Sequence, residues 1–269
     1  VETSQFKQLI RQKGEELYRD MPWRQNTDAY YVLVSEVMLQ QTQVDRVVPK
    51  FEAFINAFPT AWALAEASLA EVLQRWSGLG YNRRAKFLHE AAKMVVSEYD
   101  GQIPAEYTQL MRLPGVGKNT AGALLVYAFN RPAVFIETNI RTVYFYHFFE
   151  RVTNVTDKEI EALLEATLDK HNPRTFYWAL MDYGAWLKKQ GLGLLDKSKH
   201  YKKQAPLKGS LREVRGLILK LLVKGPLQEE ELAHQLPQDD RFQKALDSLL
   251  VEGLIEKRSQ QFFLAGHQR

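Results

Sequence analysis

At 269 residues, with 45% apolar and 25% charged content, the sequence describes a globular chain long enough for one or two packed domains. A net charge of +4 and an isoelectric point near 9.0 permit a polyanionic partner without demanding one. Zero cysteines exclude disulfides, thiolate catalysis and Cys-ligated zinc or iron–sulfur centres. No apolar run approaches the roughly 20 residues that span a bilayer, and Val1-Glu2-Thr3-Ser4 lacks the layout of a signal peptide, so a cytoplasmic protein without a membrane partner is expected.

In chain order, Tyr31-Val32…Val37-Met38-Leu39, Phe51…Phe54-Ile55…Phe58 and Leu69…Val72-Leu73…Trp76 all carry i, i+3, i+4 spacing. Phe58-Pro59-Thr60, Ser77-Gly78-Leu79-Gly80 and Asp100-Gly101-Gln102-Ile103-Pro104 break them with capping residues or glycines. Residues 1 to about 205 therefore read as an all-α body of roughly ten short helices. Within it, Leu113-Pro114-Gly115-Val116-Gly117-Lys118-Asn119-Thr120-Ala121 precedes the apolar run Ala121, Ala123, Leu124, Leu125, Tyr127, Ala128 and Phe129. Its glycines allow close approach, and the orphan amides at the next helix's start favour an anion, so the turn suits a phosphate. An ordinary αα-hairpin fits the same residues.

Between 188 and 208, Lys188, Lys189, Lys197, Lys199, Lys202, Lys203 and Lys208 face one acid, Asp196, and helix signals fade from Gly191 to Pro206. This is a solvated linker or a phosphate-facing strip. Beyond it, Leu211 to Val223, Gln228 to Leu236 and Arg241 to Gly253 read as helices, and Leu254 to Arg258 with Phe262 to Leu264 as a β-hairpin. Residues 209–269 thus resemble a winged helix, a unit that serves protein contacts as readily as DNA.

Three further constellations carry chemistry. Glu36 lies among Val34, Val37, Met38 and Leu39; partly buried, its carboxyl would hold a proton near neutral pH, whereas an exposed helix glutamate would not. Gln40, Gln41 and Thr42 follow, suited to base edges or to capping. In Trp76-Ser77-Gly78-Leu79-Gly80-Tyr81-Asn82-Arg83-Arg84, an aromatic after a Gly-x-Gly turn suits wedging into a base stack, with Arg83 and Arg84 on the flanking phosphates. A buried tyrosine is the competing reading. Lastly, Glu137 in Phe135-Ile136-Glu137-Thr138-Asn139-Ile140-Arg141 stands between an apolar segment and a new helix, either as an N-cap or as a carboxylate that stabilises positive charge on a sugar.

Together, Pro22-Trp23-Arg24, Ser35-Glu36-Val37-Met38-Leu39-Gln40-Gln41-Thr42, Gly78-Leu79-Gly80-Tyr81, Leu113-Pro114-Gly115-Val116-Gly117 and Ala179-Leu180-Met181-Asp182-Tyr183-Gly184-Ala185 resemble, in order, the helix–hairpin–helix DNA glycosylase superfamily and, within it, the MutY-type adenine DNA glycosylases. The resemblance runs from about Arg19 to Ala185. It implies an all-α helix–hairpin–helix fold over residues 1–205, two helical subdomains flanking an active-site cleft, followed by the winged-helix-like α+β unit.

By resemblance, Glu36 is the general acid that protonates N7 of a flipped adenine, and Glu137, with Asn139 beside it, stands where the family carries its catalytic aspartate. Arg19, Trp23, Arg24, Leu39, Asp182 and Asn119 belong to the base pocket. Gln41 and Tyr81 enter the duplex, while Gln40, Thr42, Arg83, Arg84, Gly115, Gly117, Lys118 and Thr120 contact DNA. Carbonyls of Met111, Leu113 and Val116 surround a monovalent cation, Na+ or K+. The sequence departs from the family in three places. Glu137 is one methylene longer than aspartate, the four-cysteine iron–sulfur loop expected after Ala185 is replaced by the lysine-rich segment, and the winged unit stands in place of the 8-oxoguanine-sensing domain.

Asn119 fills the position where bifunctional relatives carry a Schiff-base lysine, and Lys118, one residue away, is rotated by about 100° in a helix. The expected protein is thus a monomeric, cluster-free DNA glycosylase without lyase activity, nucleoid-associated, acting on double-stranded DNA with a mispaired adenine and leaving an abasic site. Excision of hypoxanthine or uracil, or damage binding with weak catalysis, are the alternatives, and a protein partner for the C-terminal unit stays open.

Overall fold

The computed structural model describes residues 2–194, 198–199, 205–237 and 239–267, and among them the chain forms fifteen helices and three short strands. Cα packing divides it into two compact units, one built from 1–36, 105–112 and 116–203, the other from 37–104, 113–115 and 204–269.

In the first unit, α1 (Thr3–Leu17) and α10 (Thr138–Phe148) both pack on α12 (Pro173–Lys189). Phe6, Ile10, Tyr144, Tyr177 and Leu180 are fully buried there, and Phe135 stacks on Tyr177 with ring centroids 4.3 Å apart. Two glycines set these spacings. A Cβ on Gly14 would meet Ala179 Cβ at 2.8 Å, and one on Gly184 would collide with the backbone of Asn139. The one-turn helices α2 (Pro22–Gln25) and α8 (Tyr107–Leu110) are too short for periodicity to reveal. With α3 (Ala29–Leu39), α9 (Lys118–Tyr127) and α11 (Asp157–Thr167) they help bring the helices before residue 205, among the described residues, to twelve against the roughly ten expected.

The second unit contains α4 (Val44–Ala57), α5 (Ala61–Glu66), α6 (Leu69–Trp76) and α7 (Arg83–Tyr99), with Phe54 edge-on to the buried Trp76. Of the breaks read from the sequence, Thr60 starts α5 by accepting from Ala63 N–H, whereas Ser77 and Asp100 end α6 and α7. Ser68 and Glu71, not read as a cap from the sequence, form a reciprocal capping box at α6. The C-terminal part of this unit comprises α13 (Leu211–Leu222), β1 (Leu227–Gln228), α14 (Glu229–His234), α15 (Asp240–Val251), β2 (Ile255–Arg258) and β3 (Gln261–Leu264). The hairpin lies as expected, and β1 adds a third, antiparallel strand, giving the order β1-β3-β2 of a winged-helix-like unit. It is anchored on its neighbours: Lys86 Nζ of α7 donates to Glu252 O at 2.7 Å, and Gly266 lies against the backbone of Leu69.

In the lysine-rich segment, Lys199 N–H donates to Val155 O at 3.1 Å beside an isolated Val155–Ser198 bridge. Lys197, Lys202 and Lys203 lie outside the described residues. No helix among the described residues is long and apolar enough to cross a membrane.

Candidate active site

Glu36, in α3, and Glu137, the residue before α10, face one electrostatic environment within the first unit. Burial, and then the Glu137 carboxylate, hold Glu36 well above the ordinary carboxylate range, with Arg24 pulling the other way. Glu137 has the extended backbone of an N-cap, φ −113° and ψ 169°, yet its side chain makes no capping hydrogen bond. Its carboxylate is therefore not engaged in starting α10. Burial raises it from near 4.5 to about 7 against the opposing charges of Arg141 and Lys188. Arg141 is itself bound by Asp157 through Nε at 2.9 Å and Nη2 at 2.6 Å.

A buried ion cluster lies in the same unit. Arg24 forks onto Asp182 at 2.6 and 3.0 Å, and Arg19 Nε reaches Asp182 Oδ1 at 2.6 Å. Asp182 is 2% exposed, and the Arg24 guanidinium lies over the rings of Tyr18 and Trp178. Such a cluster costs desolvation, but breaking it leaves an uncompensated buried charge at about 3–5 kcal/mol. Trp23 is buried beside Arg24 in α2. Asn119 Nδ2 donates to Ile136 O at 2.9 Å, tying the first turn of α9 to the residue before Glu137. Asn139 Oδ1 is buried without a hydrogen-bond partner among the described residues.

The expected anion turn ends at Gly117, which caps α9 with no side-chain hydrogen bond to the helix amides. Gly115, Gly117 and Lys118 are exposed, Thr120 is partly so, and Leu113 and Val116 turn their side chains inward. Gly115 adopts φ +78°, and a Cβ added there would meet Phe87 Cβ at 2.9 Å, a place a side chain could not take. Gly117 has ordinary φ and open space where a Cβ would stand. Gly117→Val is therefore expected to leave folding intact while weakening binding to matched and mismatched duplexes about equally, because a phosphate grip carries no sequence information. Titration of labelled duplexes checks this, and a loss confined to one mismatch contradicts the grip.

In the second unit, Gln41 (φ +58°) and Tyr81 (φ +47°) both take left-handed backbone at exposed positions. A non-glycine residue there costs on the order of 1 kcal/mol or more, so neighbouring contacts must impose it. Arg84 supplies them. Expected on a phosphate, it is instead 9% exposed and donates to the carbonyls of Val37, Met38 and Gln40 at 2.6–2.9 Å, to Thr42 Oγ1 at 3.0 Å and to Gly80 O at 3.1 Å. One guanidinium thus closes the end of α3 beyond Leu39 and ties the Gln41 turn to the Tyr81 turn. Burial among carbonyls, which a fixed five-donor fork satisfies, is why Arg84 faces inward. Thr42 Oγ1 is thus occupied by Arg84, while Arg83 stays exposed over the Phe87 ring.

Comparison with known proteins places this geometry. Residues 34–170 match the family described as "HhH-GPD superfamily base excision DNA repair protein". The adenine DNA glycosylase of Mycolicibacterium smegmatis is 37% identical, over 92% of this chain and 92% of its own. The chain belongs to the HhH-GPD superfamily. The adenine DNA glycosylase of Mycobacterium tuberculosis is 30% identical over 89% of this chain and 86% of its own. A thermostable thymine-DNA glycosylase structure aligns with TM-score 0.62 and 28% identity, over 68% of this chain and 86% of that one.

Three residues of this DNA glycosylase escaped the sequence reading. Tyr127, at the end of apolar α9, is buried and senses Glu137, Glu36 and Arg24. Arg141 and Lys188 act on Glu137 from α10 and α12. In the roles expected from the sequence, Glu36 works protonated and Glu137 ionised. Single-turnover excision is therefore expected to rise as pH passes through about 7 and Glu137 deprotonates, then to fall at higher pH as Glu36 loses its proton. Lys188→Met removes a charge that favours the Glu137 anion, so its acid limb should shift to higher pH. An unmoved limb would show that Lys188 has no hold on Glu137.

Proposed function

We propose that this glycosylase is monofunctional and cluster-free, and that it removes a mispaired adenine from double-stranded DNA. The observation that carries the reading is the pair of buried carboxyls, one held protonated and one near neutrality, in a unit whose relatives are named adenine DNA glycosylases. The base must leave the stack to be reached, with Gln41 and Tyr81 filling the gap. Glu36 delivers its proton to N7, the N-glycosidic electron pair departs with the neutral base, and Glu137 stabilises the oxocarbenium-like sugar, by analogy with two-carboxylate glycoside chemistry. Water adds at C1′ and returns a proton to Glu36. The orphan acceptor of Asn139 suits that water. Arg19, Trp23, Arg24, Leu39 and Asp182 would shape the base pocket, and Gln40, Arg83, Lys118 and Thr120 would line the DNA path.

Asn119 supports the absence of lyase chemistry: it has no amine to form a Schiff base, and its amide is bound to Ile136. For an iron–sulfur cluster the residues do not fit, because the sequence has no thiolate ligand and Lys188 and Lys189 follow Ala185 without a break in α12. Carbonyls of Met111, Leu113 and Val116 are the donors proposed for Na+ or K+, oxygen ligands that suit a hard cation. The chain is proposed to act as a nucleoid-associated monomer. Single-turnover cleavage of duplexes carrying A, hypoxanthine, U or T opposite G, C and 8-oxoguanine tests the reading. Release of adenine above the others is expected, and faster release of another base would overturn it.

A further inference from the structure

Tyr81 is held at both its backbone turn and its hydroxyl. Its backbone turn is fixed by Arg84 and by Trp76 Nε1, which donates to Gly80 O at 3.1 Å. Two guanidinium groups lie near the ring, Arg84 at 5.5 Å and Arg212 at 5.8 Å from its centroid. Arg212, in the first turn of α13, donates through Nη1 to Tyr81 Oη at 2.6 Å and through Nη2 to Ala205 O at 2.7 Å. The C-terminal unit therefore reaches across 131 positions of sequence to fasten the tip of a side chain that is still 36% exposed. That unit is itself anchored on α7 through Lys86 and on the start of α6 through Gly266, so Arg212 is delivered from a supported position.

We propose that Arg212 is a positioning residue for Tyr81, and that through it the C-terminal unit takes part in opening the duplex at the lesion. The inference rests on the reading that Tyr81 enters the duplex. A wedge works when its ring is already oriented, because freezing a loose side chain during insertion opposes the unstacking it must achieve. The hydroxyl–guanidinium bond fixes the ring through the phenol, and the cation over the ring face limits its swing.

The test follows the fluorescence of 2-aminopurine placed at the target adenine, which brightens when the base leaves the stack, alongside single-turnover excision of adenine. Arg212→Ala and Tyr81→Phe each remove the same bond, so each is expected to slow the fluorescence rise by about tenfold, with the double variant no slower than either. Arg212→Lys should recover part of the rate. Wild-type kinetics in Arg212→Ala, or independent losses that multiply in the double variant, would overturn the proposal. So would a salt slope of binding lowered by about 0.9 in Arg212→Ala but unchanged in Tyr81→Phe, since Arg212 would then be a phosphate contact. If the wild type brightens 2-aminopurine but releases no adenine, the base assignment fails and the Arg212 result still decides this proposal. A wild type that never brightens it overturns both.

Discussion

Glu36→Gln should abolish base excision while leaving mismatch binding and folding intact. The substitution keeps the shape of the side chain and removes only a transferable proton. Because burial and Glu137 already hold the native carboxyl in its neutral form, the amide introduces no new charge state into the unit. General acid catalysis is worth roughly 10²–10⁴ in rate, and protonation is what makes an adenine able to depart, so a loss toward the upper end is expected. Single-turnover excision and duplex titration measure the two halves. Excision above a tenth of the wild-type rate would remove Glu36 from its role as acid.

Glu137 offers the second large effect, and two substitutions separate its contributions. Glu137→Gln removes the charge that stabilises the sugar cation and should cost on the order of 10²–10³ in rate, as for other pre-placed electrostatic groups. The same change should make the protein more stable at neutral pH. The native carboxyl ionises near 7, the unfolded one near 4.5, so between those values the native state binds more protons. Stability then declines as pH rises through that window, and the penalty is complete above about 7. Relief on the order of 1–2 kcal/mol should appear as a rise of several degrees in Tm, at roughly 2–4 °C per kcal/mol. A more stable but inactive variant is the signature of a group strained for catalysis.

Glu137→Asp asks whether the extra methylene is accommodated. The backbone on either side is fixed, by Asn119 on Ile136 O and by the close approach of Gly184 to Asn139. The chain cannot advance to make up a shorter reach, and a displacement of about 1 Å can cost on the order of a hundredfold. The Asp variant is therefore expected to be slower. A faster one would show that Glu137 is a compromised substitute.

Much of this was legible in residue spacing because the determinants are local. The helices of α4 and α6 follow from apolar residues three and four apart, and the start of α5 from Thr60. The hairpin turn follows from Gly115 and Gly117. Arg84 was legible but misread: it shares with Leu88, Ala91 and Val95 the i, i+4, i+7, i+11 stripe that α7 buries, and that phase assigns it inward. What was not legible depends on contacts that no local pattern encodes. Arg19 meets Asp182 across 163 positions, and Arg212 meets Tyr81 across 131. The tuning of Glu137 by Lys188 likewise needs the fold, because only packing brings the end of α12 near the start of α10.

The pairing of α1 with α12 has a consequence for the order in which the chain acquires structure during synthesis. Phe6 and Ile10 find their cover on a helix that ends at Lys189, so α1 is sheltered only after α12 has been made. At about 5–20 residues per second, roughly ten to thirty seconds separate their emergence from the ribosome. During that interval α4 to α7 are already complete and can form their contacts with one another, while the amphipathic α1 waits with an uncovered apolar face.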